Sequence, residues 1–216
     1  MKLMPKTLKI GGFIYDVIYP HKFETENNLL GLHEYQQIEI KVADEYIGKK
    51  LPWSRRHEIL THEILHAIDH VFSEGKLEEG DLSKLSVGLY QVLRDNNLNL
   101  KRDSWFPKYI KIGGFRYSII PSHKFLDEVH VTYCYVSNLE NKIMLSREGK
   151  SPFLKARLME SIFLALCSIY LTGDPANEYL MCSSNMVGNG LYQVIVENNI
   201  EDLINAGITE DNKRMV

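Results

Sequence analysis

Ile10-Gly11-Gly12-Phe13 returns later in the chain as Ile112-Gly113-Gly114-Phe115, and this recurrence decides how the molecule is divided. Around it, Pro5-Lys6 returns as Pro107-Lys108 and His21-Lys22-Phe23 as His123-Lys124-Phe125. Further on, Gly88-Leu89-Tyr90-Gln91-Val92 returns as Gly190-Leu191-Tyr192-Gln193-Val194, and Asn96-Asn97 as Asn198-Asn199. Every recurrence falls 102 positions after its first occurrence, which chance explains poorly. Between the matches the register slips, as small loop insertions or deletions produce. The 216 residues therefore read as two tandem copies of one small module, 1–100 and 107–216, divided between Asn99 and Phe106.

Each copy shows the same coarse order. A short strand meets the Gly-Gly turn and a second strand, Phe13 to Tyr19 or Phe115 to Ile120. Adjacent glycines between apolar runs supply the positive φ angles that tight hairpins need. Two more strands follow, around Gly31 to Glu34 and Ile38 to Val42 in copy one, and Val129 to Val136 and Lys142 to Leu145 in copy two. In copy one, two helices then run from Pro52 to Ser73 and from about Glu79 to Asn96, with Gly75 and Gly80 marking the break. Pro52 suits a helix start, where its missing N–H costs nothing. Strands first and helices afterwards make an α+β module, an antiparallel sheet followed by two helices.

Composition limits the function classes. With 44% hydrophobic and 25% charged residues the chain has the balance of a globular protein. A net charge of −3 and the lack of a clear basic helix argue against nucleic acid or an anionic membrane surface as partner. No apolar run approaches the ~20 residues that span a bilayer. Met1 to Lys6 carries positive charge with no apolar segment behind it, so it does not read as a secretory signal. The cysteines, Cys134, Cys167 and Cys182, are odd in number and form no Cys-x-x-Cys pair; reduced thiols in a cytoplasmic protein are the expectation.

One segment of copy one carries chemistry. Ile59, Leu60, Ile64, Leu65, Ala67, Ile68, Val71 and Phe72 recur at helical spacing. On that helix His62 and His66 stand four apart, so both imidazoles leave one face and can reach one ion. Glu63 lies beside them, where a carboxylate can take a proton from an activated water. This is the His-Glu-x-x-His arrangement, which suits one zinc ion held by two imidazoles and a carboxylate with a position left open for water.

A third protein ligand is required. The long-spaced variant of the motif needs Gly and then His or Asp at positions that here hold Asp69 and Phe72, so it is excluded. The remaining choice is a carboxylate at the start of the next helix, Leu77-Glu78-Glu79-Gly80-Asp81-Leu82. With Leu82, Leu85 and Leu89 facing the core, Glu79 or Asp81 can turn inwards; Glu79 is preferred, Asp81 is the alternative and Glu78 the third choice. Asp69 is expected to orient His66 from behind. His70 is a less favoured neighbour of the ion, since one straight helix rarely offers three ligands, and His57 is expected in solvent.

The second copy is an internal control. In the best register His62, Glu63 and His66 meet Glu160, Ser161 and Leu164, while Glu79 and Asp81 meet Met181 and Ser183. Every candidate ligand is missing, yet the Gly-Gly-Phe turn and Gly-Leu-Tyr-Gln-Val persist. What both copies keep is expected to serve folding, which demotes Tyr90 and His21, since Tyr192 and His123 repeat them.

His62-Glu63-x-x-His66-Ala67-Ile68-Asp69, the acidic start of the following helix and Gly-Leu-Tyr-Gln-Val together resemble small phage-type metallopeptidase-like proteins related to the ImmA/IrrE, or minimal gluzincin, group. The resemblance covers roughly the first 100 residues. It implies a zincin-like fold, zinc with a glutamate as third ligand, hydrolysis of a peptide or protein substrate, and a phage or mobile-element origin. The family's better-known members carry an acidic-Ala-Asn/Asp segment near the third ligand, from which Asp81-Leu82-Ser83 departs. Two functions are expected on these grounds: a zinc metallopeptidase with Glu63 as general base, or a binding protein of the same fold that occupies a host or phage regulatory or defence protein without turnover. Neither oligomeric state nor substrate is legible.

Overall fold

The computed structural model describes residues 4–24, 28–102, 106–125, 133–146, 148, 150–171 and 177–214. Strands β1 (Thr7–Ile10) and β2 (Phe13–His21) form a hairpin at Gly11, whose φ of 59° no ordinary side chain accepts easily. Alternation along β1 puts Leu8 and Ile10 inside and Thr7 and Lys9 outside. A second hairpin, β3 (Gly31–Glu34) and β4 (Glu39–Ala43), completes a four-stranded sheet in the order β1-β2-β4-β3.

The sheet is mixed rather than antiparallel, because β4 runs parallel to β2 with Asp16 opposite Glu39 and Val17 opposite Ile40. Burial explains the departure. Ile40 and Val42 are fully buried, so β4 takes the inner position beside β2, and the less buried β3 is left at the edge. A short ribbon absent from the sequence reading, β5 (Glu45–Tyr46) and β6 (Lys49–Lys50), turns through Ile47 and Gly48, both at positive φ.

Helices α1 (Trp53–Ser73) and α2 (Glu79–Asn96) follow, ending where the periodicity places them. Pro52 stands at the N-cap of α1 rather than inside it. The first turn is capped from far along the chain: the Asp211 carboxylate accepts the backbone N–H groups of Trp53 and Ser54, each at 2.7 Å.

In the second half, β7 (Tyr109–Ile112), β8 (Phe115–His123), β9 (Cys134–Ser137) and β10 (Lys142–Ser146) form a sheet in the order β7-β8-β10-β9, again with the two inner strands parallel. Of the strand expected from Val129 to Val136, residues 129–132 fall outside the described residues. Three helices rather than two complete this half: α3 (Ser151–Tyr170), α4 (Asn177–Asn198) and α5 (Ile200–Arg214). Asn199, at φ 55°, breaks the chain between α4 and α5, and α5 packs back on α1, where Gly207 leaves room for the His57 ring. His57 is therefore buried, at 1% exposure, and not in solvent as expected.

The recurring motifs meet each other across the two halves. Gln193 of α4 accepts the Gly11 N–H at 2.8 Å, and Gln91 of α2 accepts the Gly113 N–H at 2.9 Å. Asn198 brackets Lys9, accepting its N–H at 2.7 Å and donating to its carbonyl at 2.8 Å. Asn96 does the same to Lys111, at 2.6 and 2.8 Å. Gly88 of α2 lies against Leu166 and Tyr170 of α3, and Gly190 of α4 against Ile68 and Phe72 of α1; a Cβ at either would collide with its neighbour. The second helix of each half thus holds the hairpin and the first helix of the other. One continuous core results, from Leu8, Ile40 and Leu65 through Ile110, Ile143 and Phe163 to Leu191.

Candidate metal centre

A step of four residues, just over one helical turn, brings His62 and His66 to the same face of α1, with ring centroids 4.7 Å apart. The short link after Ser73 then returns the chain so that α2 begins beside them. Asp69 fixes this link, its Oδ2 accepting the Leu77 N–H at 2.9 Å. The result is three side chains converging in one place: His66 Nε2 lies 3.1 Å from His62 Nε2 and 3.0 Å from Glu79 Oε2, and His62 Nε2 lies 3.2 Å from the other carboxylate oxygen, Glu79 Oε1. Among the described residues these three form the group of His, Cys, Asp and Glu that could hold a metal ion.

The set fits an ion. One donor atom from each residue lies within 4.8 Å of the others, a spread that can close on the roughly 3.3–3.6 Å between donors of a tetrahedral centre with bonds of ~2.0–2.2 Å. Packing encloses it from beneath, while the Glu79 side chain is 69% exposed, so the fourth side faces outward. Asp81, the alternative ligand, is turned away and pairs with Lys84 at 3.1 Å.

His62 is oriented by a residue that the motif does not contain. Ser86 Oγ lies 3.3 Å from His62 Nδ1 and 3.0 Å from the Ser83 carbonyl oxygen. The same hydroxyl also hydrogen-bonds the Glu58 carboxylate; with its single proton given to one of these two oxygens it accepts from Nδ1–H, and the lone pair of His62 Nε2 is left facing Glu79. Burial and the neighbouring His66 hold the His62 imidazole below its ordinary pKa, against the opposing pull of Glu79. The neutral, ligating form is thereby favoured.

Glu63 lines the same cavity as the three ligands, 5% exposed and against the edge strand at Gly31. Its carboxylate accepts the backbone N–H of His33 and lies so close to Gly31 that any side chain there would occupy the same space. Burial, then the charge of Glu79, push its pKa up to about 8. A cation at the triangle would pull it back towards neutrality. Two adjoining cavities, of about 300 and 200 Å³, open over this group and share Leu29, Gly31, His62, Glu63 and Glu79. One runs on towards Arg55, Glu58 and Val87, the other towards His33 and His66.

Comparison of the chain with protein-family models, curated proteins and solved structures found no match.

The remaining candidates take other places. Asp69 makes its hydrogen bonds to Leu77 and Ser73, with none to His66 among the described contacts; it acts on the site by fixing the link that delivers Glu79. His70 stacks on Tyr35, ring centroids 3.5 Å apart. Tyr90 lines neither cavity and is buried in the core. His21 packs on Phe23 just as His123 packs on Phe125, at 4.5 and 4.7 Å. Side chains at Met181 and Ser183, the counterparts of Glu79 and Asp81, lie outside the description. Ser86, Gly31 and His33 escaped the sequence reading. One signal could have found them: at the matching positions the second half holds Gly188, Cys134 and Val136, so these three change together with the histidines.

Proposed function

We propose that this chain is a zincin-like metallopeptidase that holds one zinc ion through His62, His66 and Glu79 and uses Glu63 as general base. The observation that carries the reading is the convergence of two imidazole nitrogens and a carboxylate within 3.0–3.2 Å of one another, with a second, buried carboxylate lining the same cavity. Two imidazoles and a carboxylate are a donor set that favours zinc among the common divalent ions. A divalent ion held there supplies Lewis acidity, polarising a carbonyl and lowering the pKa of a water towards ~7.

Glu63 then handles the proton. It takes one from the attacking water as the new C–O bond forms at the carbonyl carbon, and gives it to the leaving nitrogen as the C–N bond breaks. The acid formed keeps the second water proton until it passes to the amine, so a carboxylate and an ammonium group depart and Glu63 returns to its starting state. Burial and the charge of Glu79 raise the Glu63 pKa, and a cation held by the three ligands would lower it again, leaving an ionised carboxylate ready to accept the proton near neutral pH. The peptide class is supported by the outer edge of β3 beside the cluster, which pairs with no further strand among the described residues, so that an extended backbone can lie along it. The resemblance of the first half to the ImmA/IrrE group, and the phage or mobile-element origin it implies, point the same way. On this reading the second half is a copy that kept the fold and lost the cluster.

The test is cleavage of a mixed peptide library, read by mass spectrometry, with zinc-loaded wild type and Glu63→Gln. The variant is expected to keep its metal and to cut at least ~100-fold more slowly. Equal cleavage by both proteins, or none by loaded wild type, contradicts the proposal; the latter is what a binding protein acting without turnover would give.

A further inference from the structure

His33 enters the centre from the sheet, not from the His-Glu-x-x-His helix. It stands on the edge strand β3, opposite Ile40, and lines the same cavity as His62, Glu63, His66 and Glu79. Its ring lies near-parallel to that of His66, at a 16° interplanar angle and 6.4 Å between centroids. Its backbone N–H is already committed to Glu63. On the far side, Tyr15 Oη lies 3.4 Å from His33 Nε2, a long hydrogen bond from a fully buried tyrosine. When Tyr15 donates there, the ring proton sits on Nδ1, which has no partner among the described residues.

The second half separates function from folding at this position. Val136 pairs with Ile143 in the second sheet as His33 pairs with Ile40 in the first. Tyr117, the counterpart of Tyr15, is retained and buried, and hydrogen-bonds Asn138 at 2.8 Å instead. The sheet therefore accepts an aliphatic residue at this register, with the tyrosine kept beneath it. The histidine occurs where the donor triangle occurs.

We propose that His33 is a catalytic residue that donates a hydrogen bond to the carbonyl oxygen of the substrate as negative charge builds on it. The proposal rests on the peptidase reading. Proton placement is unchanged by it: the attacking water's proton still goes to Glu63, and the His33 N–H is donated but not transferred. A donor fixed in a partly buried cavity stabilises developing charge without having to reorganise.

The test compares zinc-loaded wild type, His33→Val and His33→Gln by calorimetry with two probes, N-phosphoryl-leucinamide, a tetrahedral mimic of the attacked carbonyl, and acetohydroxamate, which grips the metal alone. Zinc per chain is measured on the same samples. Expected are equal zinc in all three proteins, a loss of about 100-fold in phosphoramidate affinity in His33→Val, partial recovery in His33→Gln, and acetohydroxamate affinity changed less than about two-fold. Equal phosphoramidate affinity in wild type and His33→Val, or no binding to loaded wild type, overturns the role of His33 and leaves the metal centre standing. Loss of zinc in His33→Val also overturns it, by making His33 a structural support of the centre. Absence of zinc from wild type instead removes the peptidase reading, and this proposal with it. Valine is chosen because the second sheet folds with it; were His33→Val unstable, His33→Ala takes its place, with a loss of about 100-fold again expected and equal affinity again overturning the role.

Discussion

At the scale of single residues, the centre is made by a few side chains that the motif does not name. Ser86 gives its hydroxyl proton to the Ser83 carbonyl or the Glu58 carboxylate and so receives the Nδ1–H of His62. Removing that acceptor frees the imidazole to rotate and to change tautomer. Ser86→Ala is expected to weaken zinc binding about 10–100-fold with the fold unaltered, which competition against a chromophoric chelator measures; unchanged affinity would show that packing alone orients the ring. His62, Glu63 and His66 were legible in the sequence because four-residue spacing on an apolar-striped helix leaves them one shared face. Glu79 was legible only as one of three carboxylates, since a helix start leaves its own rotation open. The link fixed by Asp69 and Leu77 is what turns Glu79 rather than Asp81 to the histidines.

At the scale of elements, hydrophobic period located the helices and alternation the strands, while pairing order escaped. Nothing in Glu39 to Ala43 says that it will lie parallel to β2, because that choice depends on the tertiary burial of Ile40 and Val42 between β2, β3 and α1. Helix α5 was missed for a related reason. Its apolar residues are sparse, and it is held by packing on α1 and by the Asp211 cap. Its first turn also carries a titration. Burial, reinforced by Asp202 and opposed by Lys101, pushes the Glu201 carboxyl up to about 8. A folded-state pKa above the unfolded value means that the native state holds the proton more tightly, so stability falls as pH rises from the ordinary carboxylate range through about 8. Glu201→Gln is therefore expected to raise the melting temperature by a few degrees at pH 8 and to leave it unchanged near pH 4. Thermal melts at the two pH values check this, and an equal shift at both would contradict it.

At the scale of the whole molecule, the segments that recur are those that join the halves. Gly11 and Gly113 are held by Gln193 and Gln91, and Lys9 and Lys111 by Asn198 and Asn96. A sequence read one half at a time shows these motifs as shared folding elements but does not show that they bind one another. The consequence is that residues 1–102, which contain every candidate ligand, lack the partner for their own hairpin turn and for the Gly88 face of α2. Expressed alone, residues 1–102 are expected to show no cooperative melt, and to regain one when mixed with residues 103–216. A sharp melt of the first half by itself would contradict the interlocked arrangement.

All of this turns on whether the triangle of His62, His66 and Glu79 holds an ion. The most direct measurement is metal content by mass spectrometry on protein purified without chelator and supplied with zinc, for wild type and His62→Ala/His66→Ala. The geometry predicts about one zinc per chain in wild type and none in the double variant. No bound metal in wild type, or equal metal in both proteins, would contradict it.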